Sequence, residues 1–344
     1  MPEPSRSAAT SQVDVPTSDD DLLTPPQDEE LAAGAIALDD GIEEVELAGA
    51  PTAVRTVLAR PAKAKRRFGP FFWLAVAGLA LLVFLAVFAD FLPFIKDPKE
   101  VYRSALARSG GRIVAAKPSP EHWFGGDSDG RDLFARVVYG ARVSLIVGVS
   151  SIAIGMGVGG TLGLVAGYFR GRADTYITGL ASIMLAFPPL ILALALVSFM
   201  GQNLRNVILA LAIVSIPTLT RITRAATLTF SQREFVMASR TLGASHFRVI
   251  TREILPNVIP PMAAFALLAI AVVIVAEGTL SFLGLSVESP AVSWGGLIQG
   301  GRQQLDETPH VSLIPCGVMF LTLLAMNYVG DKLQAAWNVR EVRL

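Results

Sequence analysis

Between Val143 and Tyr168, and again between Tyr176 and Met200, the chain carries no charged residue at all. A bilayer core about 30 Å thick is crossed by roughly 20 apolar residues of helix, because every backbone polar group must find its partner within the segment. Four more stretches fit the same template. Residues 71–94 hold only Asp90, 207–230 hold only Arg221 and Arg224, 258–282 hold only Glu277, and 311–329 hold no charge. The arginines of the fourth stretch are expected to snorkel toward the headgroups. The fold class expected is all-α, a polytopic membrane protein with six transmembrane helices. A composition of 52% hydrophobic and 17% charged residues agrees.

The net charge of zero hides an uneven chain, since the acids crowd into the first sixty of the 344 residues. Residues 1–60, with Asp19-Asp20-Asp21 and Asp28-Glu29-Glu30, are too polar to bury a core and read as a disordered acidic tail. Residues 61–70 form a basic flank with Lys63, Lys65, Arg66 and Arg67, and 71–344 form the membrane domain. Bases next to a span hold that flank in the cytoplasm, and six spans then return the C-terminus to the same side. No cleaved leader is expected, because the first strongly apolar run begins only near Phe71. The loops expected inside are rich in arginine. The first outer loop, 95–141, runs against this pattern with several lysines and arginines of its own.

Redox and metal roles find no support. Cys316 is the single cysteine, and His122, His246 and His310 lie far apart. No Gly-Lys dipeptide occurs, so the chain lacks the phosphate-binding loop of ATPases. Gly155, Gly157 and Gly160 spell G-x-G-x-x-G, but inside an uncharged apolar run they are read, with Gly163 and Gly167, as places where helices approach closely. Pro188-Pro189, Pro217, Pro260-Pro261 and Pro315 interrupt apolar spans, as static kinks or as parts of moving helices.

Residues 231–257 form a polar, basic loop of helical pattern. Phe235, Ala238 and Leu242 recur at helical spacing, Gly243 suits a helix terminus, and Pro256 is expected to end a second helical stretch. Periodicity alone leaves two readings open, a hairpin covering the membrane surface and a docking element. The order Glu234, Phe235, Val236, Met237, Ala238, Ser239, Arg240, Thr241, Leu242, Gly243, Ala244, closed by Ile254-Leu255-Pro256-Asn257, resembles the "EAA" loop of ABC importer permeases. That resemblance implies a short coupling helix that docks on an ATP-hydrolysing subunit. Met237 stands where the family has Glu and Ser239 where it has a second Ala. Glu234, one helical turn earlier on the same face, is positioned to supply the missing carboxylate.

Two further stretches resemble the branch of this family that handles dipeptides, oligopeptides and nickel. In the first, Gly125, Asp127, Gly130, Arg131, Asp132, Gly140, Ala141 and Arg142 fall on the branch's Gly-Thr-Asp, Gly-Arg-Asp and Gly-Ala-Arg pattern, with Gly126 in place of Thr. The second is Leu280-Ser281-Phe282-Leu283-Gly284-Leu285, followed by Pro290, Ser293-Trp294-Gly295 and Gly330-Asp331. The cluster of Asp127, Asp129, Arg131 and Asp132 reads either as a salt-bridged cap on the next helix or as a contact for an external binding protein. Glu277 reads as a pathway residue or as one at the outer headgroups.

The resemblance implies a non-catalytic permease subunit of an ATP-driven importer in a bacterial cytoplasmic membrane. It implies a second, B-type permease as heterodimer partner, two ATP-binding subunits holding ATP and Mg, and a solute-binding protein delivering short peptides. No cofactor of its own and no nucleic acid are implied. A nickel or other small-solute importer is the alternative. An ion-coupled secondary transporter would show half-related repeats, which are not seen, and a membrane scaffold would act through its tail and loop alone.

Overall fold

A computed structural model describes residues 69–109, 112–287 and 291–341. The acidic tail and the basic flank, through residue 68, lie outside the described residues.

Helix α1, Pro70–Phe88, starts on a proline, whose fixed φ and missing N–H suit a first turn. It lies at the edge of the bundle, with only Phe72 and Ala86 buried. Helix α2, Leu133–Gly155, a wider π-turn at Met156–Gly160 and helix α3, Thr161–Phe169, make one rod of 37 residues. It begins at Leu133 rather than near Val143 because the Asp132 side chain caps it, accepting from the Ala135 amide at 2.8 Å.

The third apolar stretch is not one straight span. It forms α4, Gly171–Leu185, and α5, Pro189–Met200, which meet at 85°. Pro188 and Pro189 cause the break, since neither offers an N–H and each disfavours helical geometry in the residue before it. Pro217, Pro260, Pro261 and Pro315 stay inside continuous helices. Helix α6, Leu204–Ser231, contains the weakest apolar stretch. It hides its hydroxyls by turning them onto its own carbonyls, as Thr220 does to Ile216 and Thr227 to Thr223.

Helix α7, Glu234–Thr241, is followed by a single turn, α8, His246–Arg248, a π-turn at Val249–Ile254, and the long α9, Leu255–Phe282. Pro256 therefore does not end a helix. The widened turn ahead of it removes the clash a proline ring makes with the preceding turn, and the helix runs on. Helix α10, Trp294–Gly301, and helix α11, His310–Glu341, complete the chain. One feature outside the helical reading is a small antiparallel ribbon, β1 (Leu106–Ser109) and β2 (Arg112–Ala115), pairing Leu106 with Ala115.

Glycine lets α3 meet α6 backbone to backbone. A Cβ added at Gly163 would lie 2.6 Å from the Thr220 carbonyl, and one at Gly167 would lie 2.8 Å from Thr227 Cβ. Gly157 faces open space. The close-packing reading of this glycine run thus holds for α3, and its partner is α6 of the same chain. The main apolar core lies among α2, α5, α6 and α9, around Val147, Val197, Leu211 and Met262.

Candidate functional site

The described chain presents two polar ends with a buried polar cluster between them. At one end, α7 is nearly free of the bundle. Val236 is buried, Ser239 and Ala244 are half-buried, and Glu234, Phe235, Met237, Ala238, Arg240, Leu242 and Gly243 are exposed. Leu242 is 88% exposed and Phe247, just beyond, 78%. Large apolar side chains held out beside charged ones are what a docking surface needs. The helix closes in a Schellman turn, with the Gly243 amide donating to Arg240 O at 2.9 Å and the Ala244 amide to Ser239 O at 3.1 Å. Gly243 sits at φ +81°, so glycine is required there by backbone geometry. Glu234 and Met237 lie three residues apart on exposed helix, as the spacing predicts.

Sequence reading missed what anchors this loop. Tyr168, near the end of α3, shares a 2.8 Å hydrogen bond between its Oη and His246 Nδ1, and the Arg240 guanidinium lies 4.6 Å above its ring. Nearby, Arg224 and Arg221 have partners within the chain. Arg224 grips Asp174 of α4 with two hydrogen bonds of 2.5 and 2.6 Å, and Arg221 donates to Ser182 at 2.9 Å. A planar guanidinium gains more from a two-pronged carboxylate partner than from reaching for solvent.

At the other end, the Asp-rich motif is a knot that fixes the outer loop to the start of α2. Asp127 Oδ1 accepts the amides of Asp129 at 2.9 Å and Arg131 at 2.8 Å, while its other oxygen pairs with Arg136. Gly125 and Gly130 both lie near φ +80°, which the turns on either side of Asp127 demand. Gly126, where the branch has Thr, has no room for a side chain, because a Cβ there would run into the Ala105 backbone. Asp132 both caps α2 and takes a hydrogen bond of 2.7 Å from His122 Nδ1. Ser104 Oγ lies 2.9 Å from His122 Nε2, which completes the order of a hydrolase relay. Here, however, Glu121, 3.2 Å from that hydroxyl, competes for its one proton and Asp132 is committed to the helix cap, so the three hold segments together. Further along α2, Gly140 abuts Trp294, Ala141 is fully buried, and Arg142 donates to Ala86 O at 2.6 Å and to Asp90 at 2.9 Å. The geometry is that of the cap rather than of an open acidic patch.

Two of the bases that disturbed the charge pattern of this loop are paired with acids, and so is Arg142 just past it. Arg131, Arg136 and Arg142 face Asp129, Asp127 and Asp90 respectively.

Between the two ends, Glu277 of α9 is 0% exposed. Its carboxylate accepts from Ser144 of α2 at 3.1 Å, Ser281 at 3.0 Å and Ser286 at 2.9 Å. Ser281 also meets Ser293, the N-cap of α10, at 2.8 Å, and Trp294 donates its indole N–H to Val137 O at 3.0 Å. Gly295 packs so tightly on Gly278 that an added Cβ would sit 2.6 Å away. Glu277 is held inside the chain's own packing and is presented neither to headgroups nor to an open face. An apolar hollow of about 460 Å³ opens elsewhere, lined by Ile152, Pro189, Leu190, Leu211, Phe265 and Ala276.

Comparison with known proteins places this arrangement. Residues 159–338 match the family described as "Binding-protein-dependent transport system inner membrane component". The glutathione transport system permease protein GsiD of Pectobacterium atrosepticum is 40% identical over 219 residues, covering 64% of this chain and 73% of that one. The dipeptide transport system permease protein DppC of Alkalihalophilus pseudofirmus is 36% identical over 263 residues, covering 76% and 84%. Among solved structures, a chain of the inward-facing MetNI methionine ABC transporter superposes with a TM-score of 0.51 at 18% identity, covering 59% of this chain and 96% of that one, a likeness of fold. The chain belongs to the family of inner-membrane permease components of binding-protein-dependent ABC transport systems.

Proposed function

We propose that this chain forms, with a second related permease, the path by which short peptides enter a bacterial cell through the cytoplasmic membrane. ATP and Mg are held by two partner ATPases and a solute-binding protein delivers the peptide, so the chemistry in this chain is conformational. Its N- and C-termini are assigned to the cytoplasm by the bases that flank the first span and the even number of spans. The observation that carries this reading is α7 itself, a helix anchored through Val236 with Phe235 and Met237 exposed on it and Leu242 and Phe247 exposed just beyond. The peptide substrate is supported by the relatives, which carry glutathione and dipeptides.

The test is purification of the chain with its associated subunits, then ATPase and uptake assays with short peptides and candidate binding proteins. An ATPase that co-purifies and is stimulated by peptide-loaded binding protein is the expected result. Uptake driven by an ion gradient with no ATPase bound would overturn the reading.

A further inference from the structure

How does a helix that touches the bundle so sparingly move it? Covalently, α7 is tied to α6 through Ser231 to Arg233 and to α9 through α8. The α2–α3 rod, from the knot at Asp132 past Ser144 on Glu277 to Phe169, is packed along α6, a route to α7 that passes through a second helix. The rod's end also meets the loop directly, above all at Tyr168, which is 6% exposed and packed in the same apolar cluster as Val236 and Val249. Its ring carries the Arg240 guanidinium at 4.6 Å, so it holds the C-terminal turn of α7. Its hydroxyl is bonded to His246 at 2.8 Å, so it holds the first turn of α8. The rings of Phe169 and His246 add a further contact at 5.7 Å.

The chain just beyond confirms that this corner is built for holding. Arg170 adopts φ 54°, a conformation that costs a residue with a side chain and persists only where the surroundings fix it. Its guanidinium reaches back to Ser231 Oγ at 3.5 Å, on the near side of α7. The corner from Tyr168 to Arg170 thus touches the loop before α7, at its end and after it.

We infer that Tyr168 is a positioning residue for energy coupling, a direct noncovalent tie that holds α7 and α8 against the end of the α2–α3 rod. This rests on the reading of α7 as the ATPase-docking helix. Without the tie, α7 still binds and still pulls on α6, α9 and, through α6, the rod, but the loop slips against the end of the rod and part of the motion is lost. Hydrolysis then outruns transport.

The experiment uses the whole transporter in lipid, with Cys316→Ser and spin labels at Arg172→Cys and Arg248→Cys, both exposed positions on either side of the tie. In the otherwise native chain the label distance is expected to be narrow and unchanged between nucleotide-free and nucleotide-trapped states. Tyr168→Leu, which removes ring and hydroxyl, is expected to broaden it and shift it on trapping while ATPase subunits still co-purify. Tyr168→Phe keeps the ring for Arg240 and guards against misfolding. It is expected to lower dipeptide taken up per ATP by about two- to tenfold, the range that one lost hydrogen bond represents. His246→Ala should do the same, and the double substitution should add little. The inference is overturned if Tyr168→Leu leaves both the distance and the uptake per ATP as they were. If instead no ATPase co-purifies with the native chain, it is the reading of α7 that has failed, and the inference falls with it.

Discussion

Removing the Glu277 side chain should unsettle the packing of α2, α9 and α10 by a calculable amount. Three hydroxyls donate to this carboxylate, and they differ in what else they can do. Ser281 already shares a hydrogen bond with Ser293. Ser144 lies within α2 and can turn onto its own helix, as serines in membrane helices do. Ser286, buried and outside any helix, has no such recourse. One stranded hydroxyl costs about 1–3 kcal/mol, and the cavity left by truncating a wholly buried side chain adds about 2 kcal/mol. Glu277→Ala should therefore lose about 3–5 kcal/mol. Glu277→Gln keeps the volume and one carbonyl oxygen for Ser281 and Ser286, with its amide donating to Ser144 Oγ, and should lose about 1 kcal/mol. Unfolding in mixed micelles of rising SDS fraction measures both. Equal stabilities for Ala and Gln, or an Ala variant as stable as the native chain, would refute the argument that the hydroxyl cluster depends on this carboxylate.

Three further outcomes follow from the packing. Gly163→Ala should cost about 1–3 kcal/mol by forcing α3 off α6, while Gly157→Ala, which meets open space, should be neutral in the same SDS titration. Asp174→Asn should weaken the α4–α6 junction, and a double-mutant cycle with Arg224→Gln should return a coupling energy of about 1–3 kcal/mol, near zero if the pair is incidental. Glu234→Gln should reduce uptake per ATP in the native chain yet have little effect when Met237→Glu supplies the carboxylate from the same helix. Intact coupling in Glu234→Gln alone would dismiss the compensation.

Much of this molecule is legible in its sequence, and the illegible parts share a cause. The spans follow from uncharged length, and Gly243 from the demand of a helix end for positive φ. The break after α4 is half legible, since Pro188-Pro189 marks an interruption but gives no angle. The β1–β2 ribbon left a signal that the helical reading passed over, Gly110-Gly111 between two short runs. The partners of Glu277 and Tyr168 left none. Ser144 lies 133 residues from Glu277 and His246 lies 78 from Tyr168, and nothing local in a serine or a histidine announces such a meeting. The Arg224–Asp174 pair was hidden for the same reason, because Asp174 becomes a neighbour only once α4 folds back along α6.

The corner between α4 and α5 says which side of the molecule lipid cannot touch. At about 1.5 Å per residue, α4 with 15 residues and α5 with 12 rise some 22 and 18 Å, each short of the hydrocarbon thickness. Where they meet, the proline pair leaves backbone groups that no helix of their own can serve, and acyl chains offer no substitute. The corner must therefore face other protein or water, and the apolar hollow beside Pro189 and Leu190 opens on that flank. In lipid, the bend asks for polar neighbours where the hollow beside it offers mainly apolar ones.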